Sequence, residues 1–358
     1  MEHKSPSDAS VKKLDGSRVE ITASIPSAVW EKNRAQALKN INGSVTIAGF
    51  RKGNIPENVL ISKVGEMAIL EEMAEIAVPK AYVDVLVAKS IDAIGKPTIQ
   101  VLKLAAGNPL EFKAVTAVVP ELALPEYKKI AEKAVKDFGA IDAPLTDKEF
   151  DEAVLRIRKM HAPHEGHDHD KMTPEEHEAA IMANLPELTD DFVKKVGDFD
   201  SVPDFKDKLS VLLAEDKNNA AKEKRRLKIA DGLADAVKLD LPEIMIDSEL
   251  GRSEAQFSAD VQRMGISLED YLKHAKKTIQ DLRAEWKPNA EKKAKLQLIL
   301  NGIAKAENIR PTPEEIEAEV NHIVEHYEDA DRERAAVYAD TVLTNEKVFA
   351  FLEGSSAK

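Results

Sequence analysis

The sequence predicts an α+β N-terminal head, made of a strand, helices and a strand hairpin, followed by a mostly α-helical, extended body. Three observations carry this. Arg18 to Ile25 alternates without a fault, with Val19, Ile21, Ala23 and Ile25 on one side and Arg18, Glu20, Thr22 and Ser24 on the other, the mark of a half-buried strand. Most of the chain beyond residue 119 instead places its apolar residues three and four apart. Finally, 358 residues exceed one ordinary core, while 5% aromatic and 32% charged residues favour helices with large solvated faces.

Taken in order, a helix follows the first strand over Ser27 to Asn42, where Val29, Trp30, Ala37, Leu38 and Ile41 keep helical spacing. Next comes Gly49-Phe50-Arg51-Lys52-Gly53-Asn54-Ile55-Pro56. Both glycines can take positive φ at little steric cost, and Pro56 presets φ for a following helix, so Phe50, Arg51 and Lys52 stand on a displayed tip. An exposed aromatic beside two cations suits a partner that is phosphate-rich and locally apolar. A second helical region runs from Ile69 to Val87, bent or interrupted near Pro79. Strands return over Thr98 to Leu104 and Leu110 to Val119, joined by a Gly107-Asn108-Pro109 turn.

In the body, Phe205 to Val237 reads as one long projecting helix, with apolar residues at both ends and an almost wholly polar middle from Glu215 to Arg226. About thirty residues at roughly 1.5 Å each reach on the order of 45 Å. Leu268, Tyr271, Leu272, Ala275, Ile279, Leu282 and Trp286 form another apolar stripe, and Ile316, Val320, Ile323, Val324 and Tyr327 a third. Helix starts are signalled at Thr146, Thr173 and Thr312, each with Glu three residues on.

In this order, the strand, helix, Gly-Phe-Arg-Lys-Gly loop, helix and hairpin resemble the ribosome-docking domain of the bacterial trigger factor family. Leu185-Pro186-Glu187-Leu188 and Leu241-Pro242-Glu243-Ile244, with the residues after them, are similar to passages that open the chaperone body and start one of its long helices there. The resemblance implies a ribosome-docking domain over residues 1–118 and a linker with the first body helix over 119–160. Residues 185–358 then form the helical chaperone body. It also implies Gly49, Phe50, Arg51, Lys52 and Gly53 as ribosome-binding residues. The partners implied are protein and rRNA at the tunnel exit of the large ribosomal subunit, together with unfolded or nascent polypeptides. A homodimer stays open.

Trigger factors usually carry a prolyl isomerase domain of the FKBP type between head and body. Here only residues 161–184 fill that place, fewer than the roughly 50 a domain needs. No Phe, Tyr or Trp occurs between Phe150 and Phe192 to enclose a proline ring. The expectation is a form without the isomerase module, and not an enzyme. The replacement segment is rich in histidine, and His161, His164, His167 and His169, interleaved with carboxylates, form a candidate weak metal site. His322-Ile323-Val324-Glu325-His326 matches a short metallopeptidase pattern, but its apolar pair belongs to a helix stripe and no distant third ligand is evident.

Charge separates the two parts. Residues 1–118 hold 15 Lys and Arg against 13 Asp and Glu, so the rest of the 51 basic and 64 acidic residues leaves 36 against 51 beyond them. A near-neutral head with a basic tip can approach RNA through a few phosphates, whereas the acidic body cannot do so broadly. The chain has no cysteine, which removes disulfides, thiol nucleophiles and cysteine zinc sites. Met1 to Lys13 lacks a signal-peptide core, and no run of about 18 apolar residues occurs, so a cytoplasmic protein without a membrane partner is expected. No G-x-x-x-x-G-K-[ST] loop is present, and no cofactor is required. The leading function is therefore an ATP-independent, ribosome-associated chaperone. The alternatives are a ribosome-independent cytosolic assembly chaperone and a metal-binding protein acting through the histidines.

Overall fold

The computed structural model describes residues 9–139, 141, 144–162, 173–327 and 330–354. Its first part opens with β1 (Ser10–Leu14) and β2 (Arg18–Ile25), then α1 (Ser27–Trp30), a 3-10 turn over Glu31–Asn33, and α2 (Arg34–Ser44). The expected single helix over 27–42 is thus broken at Glu31. The helices α3 (Glu57–Val64) and α4 (Glu66–Ala88) follow, then β3 (Ala93–Lys103) and β4 (Leu110–Val118). One helix runs through Pro79 rather than ending there. The missing N–H of Pro79 costs one turn bond, which α4 recovers by burying Met73, Ala74, Ala77, Val78, Ala81 and Tyr82 on either side of it.

The four strands form one antiparallel sheet in the order β1-β2-β4-β3. Register explains the core. Val19 pairs with Thr116, Ile21 with Ala114, Ala23 with Phe112 and Ile25 with Leu110, and all eight are buried. Direct partners share a face, so two alternating strands present one continuous apolar surface, and α4 packs on β4 with α2 and α3 beside it. Trp30 is fully buried and donates its Nε1–H to the Asn108 carbonyl at 3.0 Å, while the Gly107 N–H donates to Glu31 Oε1 at 2.6 Å. The helix entry is thereby fastened to the β3–β4 turn.

The remaining helices are α5 (Tyr127–Phe138), α6 (Asp147–Met160), α7 (Pro174–Ala183), α8 (Asp190–Val196), α9 (Val202–Ala236), α10 (Glu243–Arg263), α11 (Leu268–Ala275), α12 (Ile279–Glu307), α13 (Pro313–His326) and α14 (Arg332–Leu352). The stripe expected to run from Leu268 to Trp286 spans two helices. Lys276 turns the chain at φ +53°, and Thr278 restarts it with a capping box to Asp281. No helix among the described residues is long and apolar enough to cross a membrane.

The chain divides into two compact units, Met1–Leu124 with Val237–Asn308, and Pro125–Ala236 with Ile309–Lys358. In the first, α10 packs along α12 through Ile246, Leu250, Ala290 and Trp286. Ile244 lies so close over Gly95 that a Cβ there would sit 2.1 Å from its Cδ1. Asp240 accepts from the Gly16 N–H, and its carbonyl accepts from Ser17 Oγ, both at 2.6 Å. In the second unit α9 runs for 35 residues, close to 52 Å at about 1.5 Å per residue. Near its start, Phe205 and Leu209 join Val193 of α8 in a cluster against which Phe150, Val154 and Ile157 of α6 pack. Further along α9, Glu353 is almost fully buried between Arg225, at 2.9 Å, and Arg226, at 3.3 Å. The Thr146–Glu149 capping box opens α6, and Lys217 of α9 donates to Glu149 Oε2 at 2.8 Å and to the Pro144 carbonyl at 3.0 Å.

Candidate functional site

The displayed loop lies between α2 and α3, and its construction begins at its base. In the last turn of α2 Ile41 is buried in the head core, and just past the helix end at Ser44 the Val45 N–H donates to the Ile41 carbonyl at 3.0 Å. Val45 and Ile47 remain half-buried against that core. On the return side Ile55 is buried again, and Pro56, with φ −58° and ψ 140°, caps α3, its carbonyl accepting from Val59 and Leu60. Between these anchors Gly49 adopts φ +87° and Gly53 φ +86°, in the region that favours glycine. A Cβ on either would meet nothing within 4 Å, so backbone conformation and not crowding demands glycine at both positions.

Asn42 closes the base. Its Nδ2 donates to the Ile55 carbonyl at 2.8 Å, the Ile55 N–H donates to its Oδ1 at 3.1 Å, and the Gly53 N–H donates to its carbonyl at 3.0 Å. One residue thus satisfies three backbone groups thirteen or fewer positions away, as a neighbouring strand would. Two internal bonds, Phe50 N–H to the Ile47 carbonyl at 3.1 Å and Asn54 N–H to the Arg51 carbonyl at 3.0 Å, shape the tip. Phe50, Arg51 and Lys52 are all exposed, Phe50 at 39%. All five loop residues singled out from the sequence are therefore brought together on one tip. Asn42 was missed, because an asparagine near a helix end ordinarily signals only a cap. At the start of α2, Arg34 makes a two-point ion pair with Glu66 at the start of α4, and this raises the guanidinium and lowers the carboxyl from their ordinary values, chiefly through that hydrogen-bonded pair.

The histidines are arranged differently. His164, His167 and His169 lie outside the described residues. His161 ends α6, its Nδ1 3.0 Å from the Ile157 carbonyl and its ring edge-on to Phe192 at 5.9 Å. His322 and His326 stand one turn apart on an exposed face of α13, with His326 Nδ1 2.9 Å from the His322 carbonyl. Among the described residues no group of three or more His, Cys, Asp or Glu could hold a metal ion.

A family model described as bacterial trigger factor protein matches residues 7–157, and a second, for the trigger factor C-terminus, matches residues 201–352. The chain belongs to the trigger factor family. The two matches span both the loop and the long helix and leave residues 158–200 between them. The trigger factor of Pelotomaculum thermopropionicum is 26% identical over 388 residues, with 89% of each chain covered, and that of Enterococcus faecalis is 28% identical over 378 residues, with 86% of this chain and 88% of the relative covered. A solved chain from work on promiscuous substrate recognition in the folding and assembly activities of the trigger factor chaperone superposes with a TM-score of 0.52. It is 17% identical and covers 96% of this chain and 99% of its own, a likeness of fold.

Proposed function

We propose that this chain is a cytoplasmic, ribosome-associated, ATP-independent chaperone. It docks at the tunnel exit of the large ribosomal subunit through Gly49–Gly53 and shelters unfolded or nascent polypeptides against its helices. The observation that carries the docking is the loop itself: a rigid tip, clamped by Asn42, presenting Phe50, Arg51 and Lys52 with no structural duty of their own. The cations meet phosphates and the ring meets an apolar protein surface, a mixed chemistry that a ribonucleoprotein offers. Holding needs only displayed apolar surface, and Val211, Leu212 and Leu227 on α9 and Val337 and Tyr338 on α14 are more than half exposed. The solved relative is described as recognising substrates promiscuously, which accords with such dispersed surface.

In this reading residues 1–118 dock, 119–160 link and open the body, 161–184 stand where an isomerase domain is placed in other members, and 185–358 hold clients. The protein has no prolyl isomerase activity. The test is Phe50→Ala with Arg51→Ala and Lys52→Ala: these exposed changes alter stability by about 0.5 kcal/mol or less. The folded triple variant no longer co-sediments with ribosomes, and undiminished co-sedimentation would remove the docking assignment.

A further inference from the structure

Strand β3 is an edge strand eleven residues long, and none of its residues is buried, whereas β2 and β4 each bury every second one. The contrast is not a matter of composition. Ile99 pairs with Ala114 and Val101 with Phe112, both fully buried, so Ile99 and Val101 point to the α4 side of the sheet like their partners. They nevertheless remain 38% and 41% exposed, because α4 lies over β4 and stops short of β3. What lies between is a groove of about 690 Å³ with Met67, Val78, Ile99 and Val101 on its walls. Along the outer side of β3 no described element pairs with the strand.

We propose that this edge binds an extended polypeptide segment as a fifth strand, with alternate apolar side chains dropping into the groove and basic side chains meeting its helical wall. An exposed edge offers unpaired N–H and C=O groups, the usual template for strand addition, and on β3 the regular run that can serve is Thr98 to Val101, between Pro97, which has no N–H, and the register shift before Lys103. The charge of the groove selects the occupant. Glu71 and Glu75 stand one turn apart on the α4 wall, a like-charge pair that a cation relieves, whereas Lys103 on the opposite wall is already paired with Glu111 at 3.7 Å. In the register centred between Ile99 and Gln100, antiparallel self-pairing would set Lys96 opposite Lys103 of the other copy, which disfavours a second copy in that register. The occupant is therefore an unfolded basic-apolar chain. This deepens the holdase reading by giving the head its own client site.

The probe is a fluorescent heptapeptide whose lysines and valines share one strand face and whose threonines occupy the other, titrated against the full chain. Binding is expected to weaken at least tenfold when every second peptide amide is N-methylated, and to be lost in Val101→Glu, with amide shifts centred on residues 98–104. Glu71→Lys with Glu75→Lys is expected to reverse preference towards a peptide carrying glutamate in place of lysine. Equal binding of the methylated peptide, shifts elsewhere, or an unreversed charge preference would overturn the proposal. So would a dimer dissolved by Val101→Glu that the peptide fails to displace, which would make the occupant a second copy. Suppression of client aggregation, measured on the same wild-type sample, separates the two readings. Suppression without peptide binding refutes this site alone, and absence of both refutes the holdase.

Discussion

Asn42→Ala tests whether the docking loop works as a preformed tip or merely as a set of side chains. The substitution deletes two hydrogen bonds, at 2.8 and 3.1 Å, between the amide and the Ile55 backbone, and leaves the Gly53 bond to the residue 42 carbonyl intact. Each such bond contributes about 1 kcal/mol net, and Ile55, being buried, can regain only part of that from water. The loop base is therefore loosened by about 1–2 kcal/mol, while the α2 helix and the head core keep their contacts. If the ribosome binds only the clamped form, that energy must be supplied on binding, and affinity falls by roughly 5- to 30-fold. Quantitative co-sedimentation measures the affinity, and hydrogen exchange over residues 45–56 reports the loosening independently. Faster exchange with unchanged affinity would refute the argument, since the tip would then bind equally well without its clamp.

Other outcomes follow from the same geometry. The Glu149 carboxyl is held down to about 2, first by the Lys217 ammonium and then by the Thr146 backbone and hydroxyl donors. A depressed carboxyl contributes stability that is complete above its ordinary value of 4.5 and is lost as pH falls towards 2, so the difference in Tm between wild type and Glu149→Gln is expected to vanish across that window. A constant difference would place the contribution elsewhere. Glu353→Ala takes the buried carboxylate away from Arg225, while Arg226 keeps Glu346 at 2.8 Å, and is expected to cost about 1–3 kcal/mol, read as a lower urea midpoint at unchanged slope. Gly53→Ala forces a side chain into φ +86° and is expected to cost about 1 kcal/mol although no atom crowds it, which a thermal melt would detect.

Much of this molecule was legible in its residues because the relevant physics is local. Period-two alternation placed β2 at Arg18–Ile25 to the residue, since a half-buried strand can satisfy its two faces in no other way. The same holds for the capping boxes at Thr146 and Thr312, and for the two glycines whose positive φ turns Phe50, Arg51 and Lys52 outward. The break between α11 and α12 was also written locally, in Thr278-x-x-Asp281, but a continuous apolar stripe concealed it. Tertiary structure alone decided the rest. Strand β1 has little alternation of its own and exists because β2 offers an edge to pair with. Leu212 and Leu227 share helical spacing with Leu209 and Leu233 yet stay exposed, because the elements packed on α9 do not cover those two positions. Asn42 becomes a clamp only once the chain returns to it at Ile55, and Ile99 and Val101 become groove walls only because α4 covers β4 and not β3. Periodicity reports which side of an element prefers to be dry, whereas which element arrives to cover it depends on contacts distant in sequence, and those carry no local pattern.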